Sequence, residues 1–112
     1  MIPLAGCGGL PQLRGTVADG RVRVSRAEFD TLAGENRAIG VDIGTSYPVL
    51  LLREGDDFRA LSSRCTHQAC RVSASPEFVV CPCHGSTFDR EGNVLRGPAQ
   101  TALPSYPVTV KG

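Results

Sequence analysis

The sequence predicts an all-β domain, and three observations lead to that prediction. Short apolar stretches alternate with turn residues along most of the chain, as they do in antiparallel sheets. Glycine (13) and proline (8) are frequent among the 112 residues, which favours turns over long helices. One segment has a helical start, where Ser25 and Glu28 form a capping box before Phe29, and Gly34 allows only a short helix.

The predicted elements can be placed in order along the chain. Residues 1–20 are predicted to be a tether because they show no periodicity. The domain itself is predicted at 21–112. Its elements are a half-buried strand at 21–24, a helical turn at 26–33, strands at 37–43, 48–53 and 58–61, a loop at 64–75, a strand at 78–80, loops at 81–86 and 97–100, and strands from 94 and at 106–111.

Composition excludes several classes of function. A hydrophobic fraction of 41% and a charged fraction of 21% indicate one small globular domain rather than a disordered chain. A net charge of +1 argues against nucleic acid as a partner. The apolar run at 49–52 is far too short to cross a bilayer. No independent catalytic nucleophile or substrate pocket is identifiable.

Two Cys/His boxes dominate the sequence. They read Cys-Thr-His-Gln-Ala-Cys at 65–70 and Cys-Pro-Cys-His-Gly-Ser at 81–86. Thiolates and imidazoles suit zinc, copper and iron–sulfur clusters. Six candidate ligands are two too many for one tetrahedral metal. They would suit a four-ligand site plus one disulfide.

The symmetric partition takes Cys-x-His from the first box and Cys-x-x-His from the second as ligands. Cys70 and Cys83 are then left over, one from each loop, and a bridge between them would clamp the loops at a gain of roughly 3 kcal/mol. The alternative to a redox centre is a structural zinc module. Zinc ribbons usually pair Cys-x-x-Cys knuckles, however, and the second box is not such a knuckle.

The two boxes together resemble the signature of the Rieske [2Fe–2S] proteins, in particular those of cytochrome bc and bf complexes. The resemblance extends loosely from about 21 to 111. It implies a β-sandwich or barrel with a small cluster-binding subdomain at about 62–100, made of two loops and a covering proline loop that includes Gly97 and Pro98.

The resemblance also implies a role for each box residue. The iron ligands would be Cys65, His67, Cys81 and His84. Cys70 and Cys83 would form the disulfide that oxygenase-type Rieske ferredoxins lack, which indicates an oxidising compartment. The oxidised cluster with two thiolate ligands sums to zero charge, so histidine ligation raises its reduction potential.

Two positions in the family tune that potential. Ser86 matches a serine whose hydroxyl donates to a bridging sulfide. The alternative is that its hydroxyl only caps a turn. Phe88 stands where high-potential members carry a tyrosine that donates to a cysteine sulfur, and its main role is predicted to be core packing. The missing hydroxyl predicts a potential lower by about 50–100 mV.

Function follows from the same resemblance. The leading hypothesis is the iron–sulfur subunit of a cytochrome bc-like complex, an electron-transfer subunit rather than an enzyme alone. Its partners would be a cytochrome b-type subunit, quinol and a c-type cytochrome, with proton transfer coupled at the exposed histidines. Gln68, Ala69 and Gln100 differ from the residues usual in the family. They lie in the loops that would form the tip at which quinol docks. The alternative is therefore a carrier for another oxidoreductase, such as a molybdenum enzyme of the arsenite oxidase kind.

Cys7 is the fifth cysteine and has no partner in this scheme. Leu-Ala-Gly-Cys at 4–7 has the form of a lipobox, the acylation site of bacterial lipoproteins. An incidental thiol is the alternative. The lipobox predicts a lipid anchor on the periplasmic side of a bacterial membrane; otherwise an upstream segment would provide the attachment.

Overall fold

The computed structural model describes residues 10–66 and 70–111, and those residues form a mainly β fold with one α-helix. Three sheets hold the strands. The central sheet has the order β1-β4-β5-β6-β11, the smaller sheet β10-β9-β8-β7, and β2 pairs with β3. The strands are β1 (Gln12–Arg14), β2 (Thr16–Ala18), β3 (Arg21–Arg23), β4 (Ala38–Asp42), β5 (Val49–Glu54), β6 (Asp57–Ser62), β7 (Ser73–Ala74), β8 (Val79–Val80), β9 (Thr87–Phe88), β10 (Val94–Arg96) and β11 (Ser105–Tyr106).

The strands predicted at 48–53 and 58–61 form a hairpin at the centre of the fold. β5 and β6 pair antiparallel from Val49↔Ser62 to Glu54↔Asp57, and β4 pairs with the other edge of β5. Leu50 and Leu52 are fully buried in one core cluster, while Leu51 packs against a second cluster on the opposite face. The apolar run at 49–52 is thus a strand covered on both faces, which is why its apolar residues do not alternate with polar ones.

The predicted helix is confirmed as α1 (Arg26–Ala33), and it covers one face of the central sheet. The Ser25 side chain accepts a hydrogen bond from the Glu28 N–H at 3.2 Å, as the capping box requires. Phe29 is buried and meets the Phe58 ring edge-on, with the ring centroids 5.0 Å apart. Phe29 and Ala33 are the buried residues of α1, whereas Leu32 is exposed.

The smaller sheet packs on the opposite face of the central sheet. The core cluster between them joins residues of the central sheet, such as Leu50 and Leu61, to residues of the smaller sheet, such as Val79 and Phe88. Cys65 and Cys81 belong to this same cluster. The candidate site therefore stands on the main core rather than on a separate appendage.

The tether predicted at 1–20 is wrong for its second half. β1 pairs in parallel with β4, in the register Gln12↔Gly40 to Arg14↔Asp42, so the central sheet is not purely antiparallel. β2 forms a hairpin with β3, whose three residues are all exposed rather than half-buried. Strands of three residues are too short to show a period, and only their pairing defines them.

Three other expectations need correction. β7 lies inside the loop predicted at 64–75, and β9 follows the second box without a sequence signal. The strand predicted at 106–111 is reduced to β11, whose two residues pair with Leu61 and Ala60 of β6. Val108 and Val110 beyond it are exposed. Alternation of apolar residues does not make a strand when no partner lies beside it.

Among the described residues, no helix is long and apolar enough to cross a membrane.

Candidate metal centre

The first Cys/His box forms a loop that closes on its own backbone. The N–H of Cys65 donates to the carbonyl of Cys70 at 2.8 Å. Just outside it, Arg64 and Arg71 pair as an isolated antiparallel bridge. These bonds hold the first and last residues of the box side by side at the end of β6. Of the predicted site residues, His67 lies outside the described residues, as does Cys7.

The second box repeats this arrangement between β8 and β9. The N–H of Cys81 donates to the Ser86 carbonyl at 2.8 Å, and the Gly85 N–H donates to the Cys81 carbonyl at 3.0 Å. Gly85 has a φ of 79°, a left-handed conformation that glycine adopts without steric cost. Cys81 is buried beneath the loop, whereas His84 is exposed at its tip. In both boxes the first cysteine, a candidate ligand, donates its backbone N–H to the carbonyl of the residue five positions later.

A disulfide joins the two loops. Cys70 and Cys83 are bonded, with their Cα atoms 6.5 Å apart, as the partition of the six candidates predicted. The sulfur of Cys81 lies within 4.8 Å of both disulfide sulfurs. The bridge therefore holds the middle of the second loop against the end of the first.

The other two cysteines meet beneath this bridge. Cys65 and Cys81 are 3% and 1% exposed and neither is disulfide-bonded. Burial raises the pKa of the Cys81 thiol, and a hydrogen bond with the Cys65 thiol raises it further; the backbone N–H groups of Cys83 and His84 oppose this. These two buried thiols lie together, and one of them faces two backbone N–H donors. Such a pair fits a metal centre that requires two thiolates.

A third loop covers the site. Ala99, just after Gly97 and Pro98, is buried, and its N–H donates to the Ser86 hydroxyl oxygen at 3.0 Å. The Thr66 hydroxyl donates to the carbonyl of Thr101 at 2.6 Å. The covering loop is thus tied to both boxes. Because the oxygen of Ser86 accepts the Ala99 amide, its own proton remains to be donated elsewhere.

Sequence reasoning missed two of these connections. The Thr66–Thr101 bond joins residues 35 positions apart. Arg90, on the turn after β9, is buried and donates to the carbonyl of Ser75 beside the smaller sheet and to that of Asn36 beside the central one. A box threonine is a weak signal by itself. An arginine that binds backbone carbonyls has no signal in sequence, because carbonyls are present at every position.

A site of this kind defines a class of protein: a small β domain in which two Cys/His loops can hold an iron–sulfur cluster. The sequence profile of the Rieske [2Fe–2S] domain matches residues 22–107, about three quarters of the chain. The chain belongs to the Rieske [2Fe–2S] family. Its cofactor is a [2Fe–2S] cluster.

Individual relatives agree with this assignment. The cytochrome b6-f complex iron-sulfur subunit 2 of Synechocystis sp. is 41% identical over 68 residues, which are 56% of this chain and 38% of that protein. The corresponding subunit of Chlorobaculum tepidum is 31% identical over 65 residues, 56% of this chain and 36% of that one. This chain therefore spans less than two fifths of the length of these relatives.

A solved structure and a third relative extend the comparison. The cyanobacterial plasma membrane Rieske protein PetC3 from Synechocystis PCC 6803 is 30% identical, with a TM-score of 0.64 over 78% of this chain and 87% of that one. The carotenoid phi-ring synthase of Chlorobaculum tepidum is 41% identical over 69 residues, which are 58% of this chain and 10% of that protein.

Phe88 allows a direct test of how the core tunes the site. It is fully buried in the cluster that contains Cys65 and Cys81, which confirms its packing role. We expect Phe88→Tyr to raise the reduction potential by about 50–100 mV, because a hydroxyl that donates to a cysteine sulfur stabilises the added electron. Voltammetry on the purified protein measures the shift.

The matched control is Phe58→Tyr, which adds the same hydroxyl in the other core cluster beside Phe29. Its potential should equal that of the wild type. A Phe88→Tyr variant that loses stability without a rise in potential would contradict the prediction, since its hydroxyl would then be buried without an acceptor.

Proposed function

We propose that this chain is the iron–sulfur subunit of a cytochrome bc-like complex that oxidises quinol, and that Cys65, Cys81, His67 and His84 hold its cluster. The main support is the pairing of two buried thiols beneath loops that a disulfide clamps together. Two of its relatives are named as cytochrome b6-f complex iron-sulfur subunits, which agrees with this role.

When bound, the [2Fe–2S] cluster would accept and release one electron at a time. The chain's own groups favour the reduced form. The amides of Cys83 and His84 point at the sulfur of Cys81, and the hydroxyl of Ser86 keeps a proton to donate. Hydrogen bonds to sulfur stabilise added negative charge and so raise the potential.

His84 is the described residue that would couple electron transfer to a proton. It is exposed at the tip of the second loop. One ring nitrogen would bind iron, and the other would face solvent or a quinol hydroxyl. That outer nitrogen would release its proton on oxidation and regain it on reduction.

We expect the reduction potential to fall as pH rises, because reduction takes up a proton and a high pH disfavours it. The limiting slope is about 59 mV per pH unit for one proton and one electron. Voltammetry across neutral and alkaline pH tests this. Phe88→Tyr is the control: it should shift the whole curve upward without changing its slope.

A low potential that is flat across neutral pH would contradict the quinol-oxidising role and favour a ferredoxin-like carrier. Zinc in place of iron, without a redox signal, would overturn the electron-transfer assignment for the site as well.

The second candidate is a carrier for another oxidoreductase, of the arsenite oxidase kind. Three features favour it: Phe88 in place of a tyrosine, Gln100 in the covering loop, and Gln68 with Ala69 beside the first histidine. The similarity to a tenth of the carotenoid phi-ring synthase shows that related domains also occur within larger proteins named as enzymes. Failure of quinol analogues to reduce the protein, in spite of a suitable potential, would favour this candidate.

We also propose that the domain works on the periplasmic side of a bacterial membrane, held there by a lipid on Cys7. The lipobox form of residues 4–7 and the disulfide support this. The intact mass of the protein isolated from its native membranes tests it, since an unmodified Cys7 would overturn the lipid anchor.

A further inference from the structure

The charges of this chain are unevenly distributed. Three segments, 62–75, 78–88 and 94–103, form the end of the domain that carries the candidate cluster site, here called the cluster end. They contain no aspartate or glutamate. They contain three arginines, Arg64, Arg71 and Arg96, all of which are exposed. The nine other lysines and arginines are outnumbered by the eleven acidic residues. The net charge of +1 therefore conceals a basic cluster end on an acidic body.

Five arginines of the body have a carboxylate partner, whereas the other three body arginines (Arg21, Arg23 and Arg26) and the three of the cluster end have none among the described residues. Arg14, Arg37, Arg53, Arg59 and Arg90 each lie within 4.0 Å of a carboxylate oxygen, as Arg53 does with Asp30 at 2.9 Å. Within the described ranges 10–66 and 70–111, no carboxylate lies that close to Arg64, Arg71 or Arg96.

Two of these arginines are held in place at the base of the first ligand loop. Arg64 and Arg71 face each other in the bridge that closes the loop. The guanidinium carbon of Arg64 lies 5.6 Å from the centre of the Tyr47 ring, and Arg71 donates to the Ser46 carbonyl at 2.6 Å. Like charges directly opposite one another cost stability. A carboxylate from outside the chain would relieve that cost.

The third arginine lies on the opposite side of the cluster loops. Arg96 ends β10, an edge strand of the smaller sheet, and pairs with Thr87 just after the second box. Arg71 leads into β7 at the other edge of that sheet. The three cations therefore flank the two loops that the disulfide joins.

We propose that Arg64, Arg71 and Arg96, here called the basic collar, dock a carboxylate-rich face of a redox partner protein. The inference rests on the electron-carrier function and does not require the quinol-oxidising role. Electron transfer needs the partner close to the exposed edge of the site, and the collar lies on the loops that form this edge. Complementary charge would orient the partner and accelerate its encounter.

The rate of oxidation of the reduced holoprotein, measured by stopped flow, depends on the charge near the cluster. Hexacyanoferrate(III), an anion, takes one electron from the protein and becomes hexacyanoferrate(II). We expect its rate at low ionic strength to fall about 3- to 10-fold in Arg64→Gln/Arg71→Gln. Arg21→Gln/Arg23→Gln removes the same charge from β3 and should change the rate less than about twofold. Cationic tris(phenanthroline)cobalt(III) should react faster with the collar variant.

An acidic protein tests docking itself. Reduced plant-type [2Fe–2S] ferredoxin, a carboxylate-rich protein, gives one electron to the oxidised holoprotein, a downhill transfer given its potential of about −400 mV. We expect a rate that falls with added salt and falls about fivefold more in the collar variant than in the β3 variant. The potential and the electron paramagnetic resonance spectrum of each variant separate docking from changes at the cluster.

Three outcomes would overturn the proposal. Equal losses in the two double variants would mean that only net charge matters. Equal rates with ferredoxin, together with collar-dependent sedimentation on phosphatidylglycerol vesicles, would assign the collar to lipid headgroups. Absence of electron transfer with either small reagent would overturn the carrier function and the collar together, whereas the first two outcomes leave the carrier function intact.

Discussion

Replacement of Arg90 by methionine is expected to lower the free energy of unfolding by about 3–5 kcal/mol. The Arg90 side chain is 5% exposed, and all three nitrogens of its guanidinium donate hydrogen bonds. Its acceptors are the Glu54 carboxylate at 2.8 Å and the carbonyls of Ser75 at 2.6 Å, Asn36 at 2.9 Å, Arg37 at 3.0 Å and Arg53 at 3.3 Å. Methionine would fill most of the volume but could donate no hydrogen bond to any of these acceptors.

The position of Arg90 makes this loss larger than that of an ordinary surface charge. It lies on the turn after β9, and Ser75 follows β7, so both belong to the smaller sheet. Its other acceptors lie in the central sheet or next to it: Asn36 and Arg37 precede β4, and Arg53 and Glu54 end β5. One side chain therefore joins the two sheets at the end opposite the ligand loops of the site.

The turn itself holds Arg90 in place. The Asp89 carboxylate accepts the N–H groups of Glu91 and Asn93 at 2.8 and 2.9 Å. Burial raises the pKa of Asp89, but these hydrogen bonds outweigh it and lower the pKa below its ordinary value. Because the folded-state pKa is lowered, this carboxylate stabilises the fold at neutral pH, and the contribution is lost in acid.

Urea unfolding measures the effect of the Arg90 substitution. The control is Arg14→Met, whose side chain is 83% exposed and meets Asp42 at 3.6 Å; it should change stability by less than about 0.5 kcal/mol. Arg90→Lys keeps the charge but not the planar set of donors, and it should fall between the two. An Arg90→Met variant as stable as Arg14→Met would refute the joining role.

The second large effect is expected from Cys70→Ser/Cys83→Ser. The disulfide closes a loop across a separation of 13 residues, and its removal should cost about 3 kcal/mol through the gain in entropy of the unfolded chain. The two ligand loops would then be held together by the covering loop and by the Cys65–Cys81 contact. We expect visible absorbance of the cluster to bleach far faster on warming than in the wild type.

Unfolding curves and the time course of bleaching at fixed temperature provide the two measurements. Cys7→Ser is the control for cysteine substitution as such, because Cys7 lies outside the bridged pair. A double variant that bleaches at the wild-type rate would show that the backbone closure of each loop suffices to hold the cluster.

Local sequence determined the elements whose signals are local. The capping box at Ser25 and the apolar runs of β5 and β6 predicted the helix and the central hairpin. The two Cys/His boxes indicated a metal centre and one disulfide, because metal ligands are restricted to few residue types at short spacing. Their resemblance to the Rieske signature predicted which cofactor is bound. Phe88 was also predicted to pack in the core, and it does.

Tertiary structure decided everything that depends on a distant partner. β1 became part of the central sheet because β4 lies beside it, while the alternating C-terminal segment has a strand only where β6 runs alongside. β7 and β9 have two residues each, too few to show a period. Arg90 is buried among four backbone carbonyls and a carboxylate, whereas the basic collar is exposed and has no carboxylate within 4.0 Å among the described residues. Neither environment leaves a trace in a sequence. That difference makes one arginine a structural link and leaves the others available to a partner.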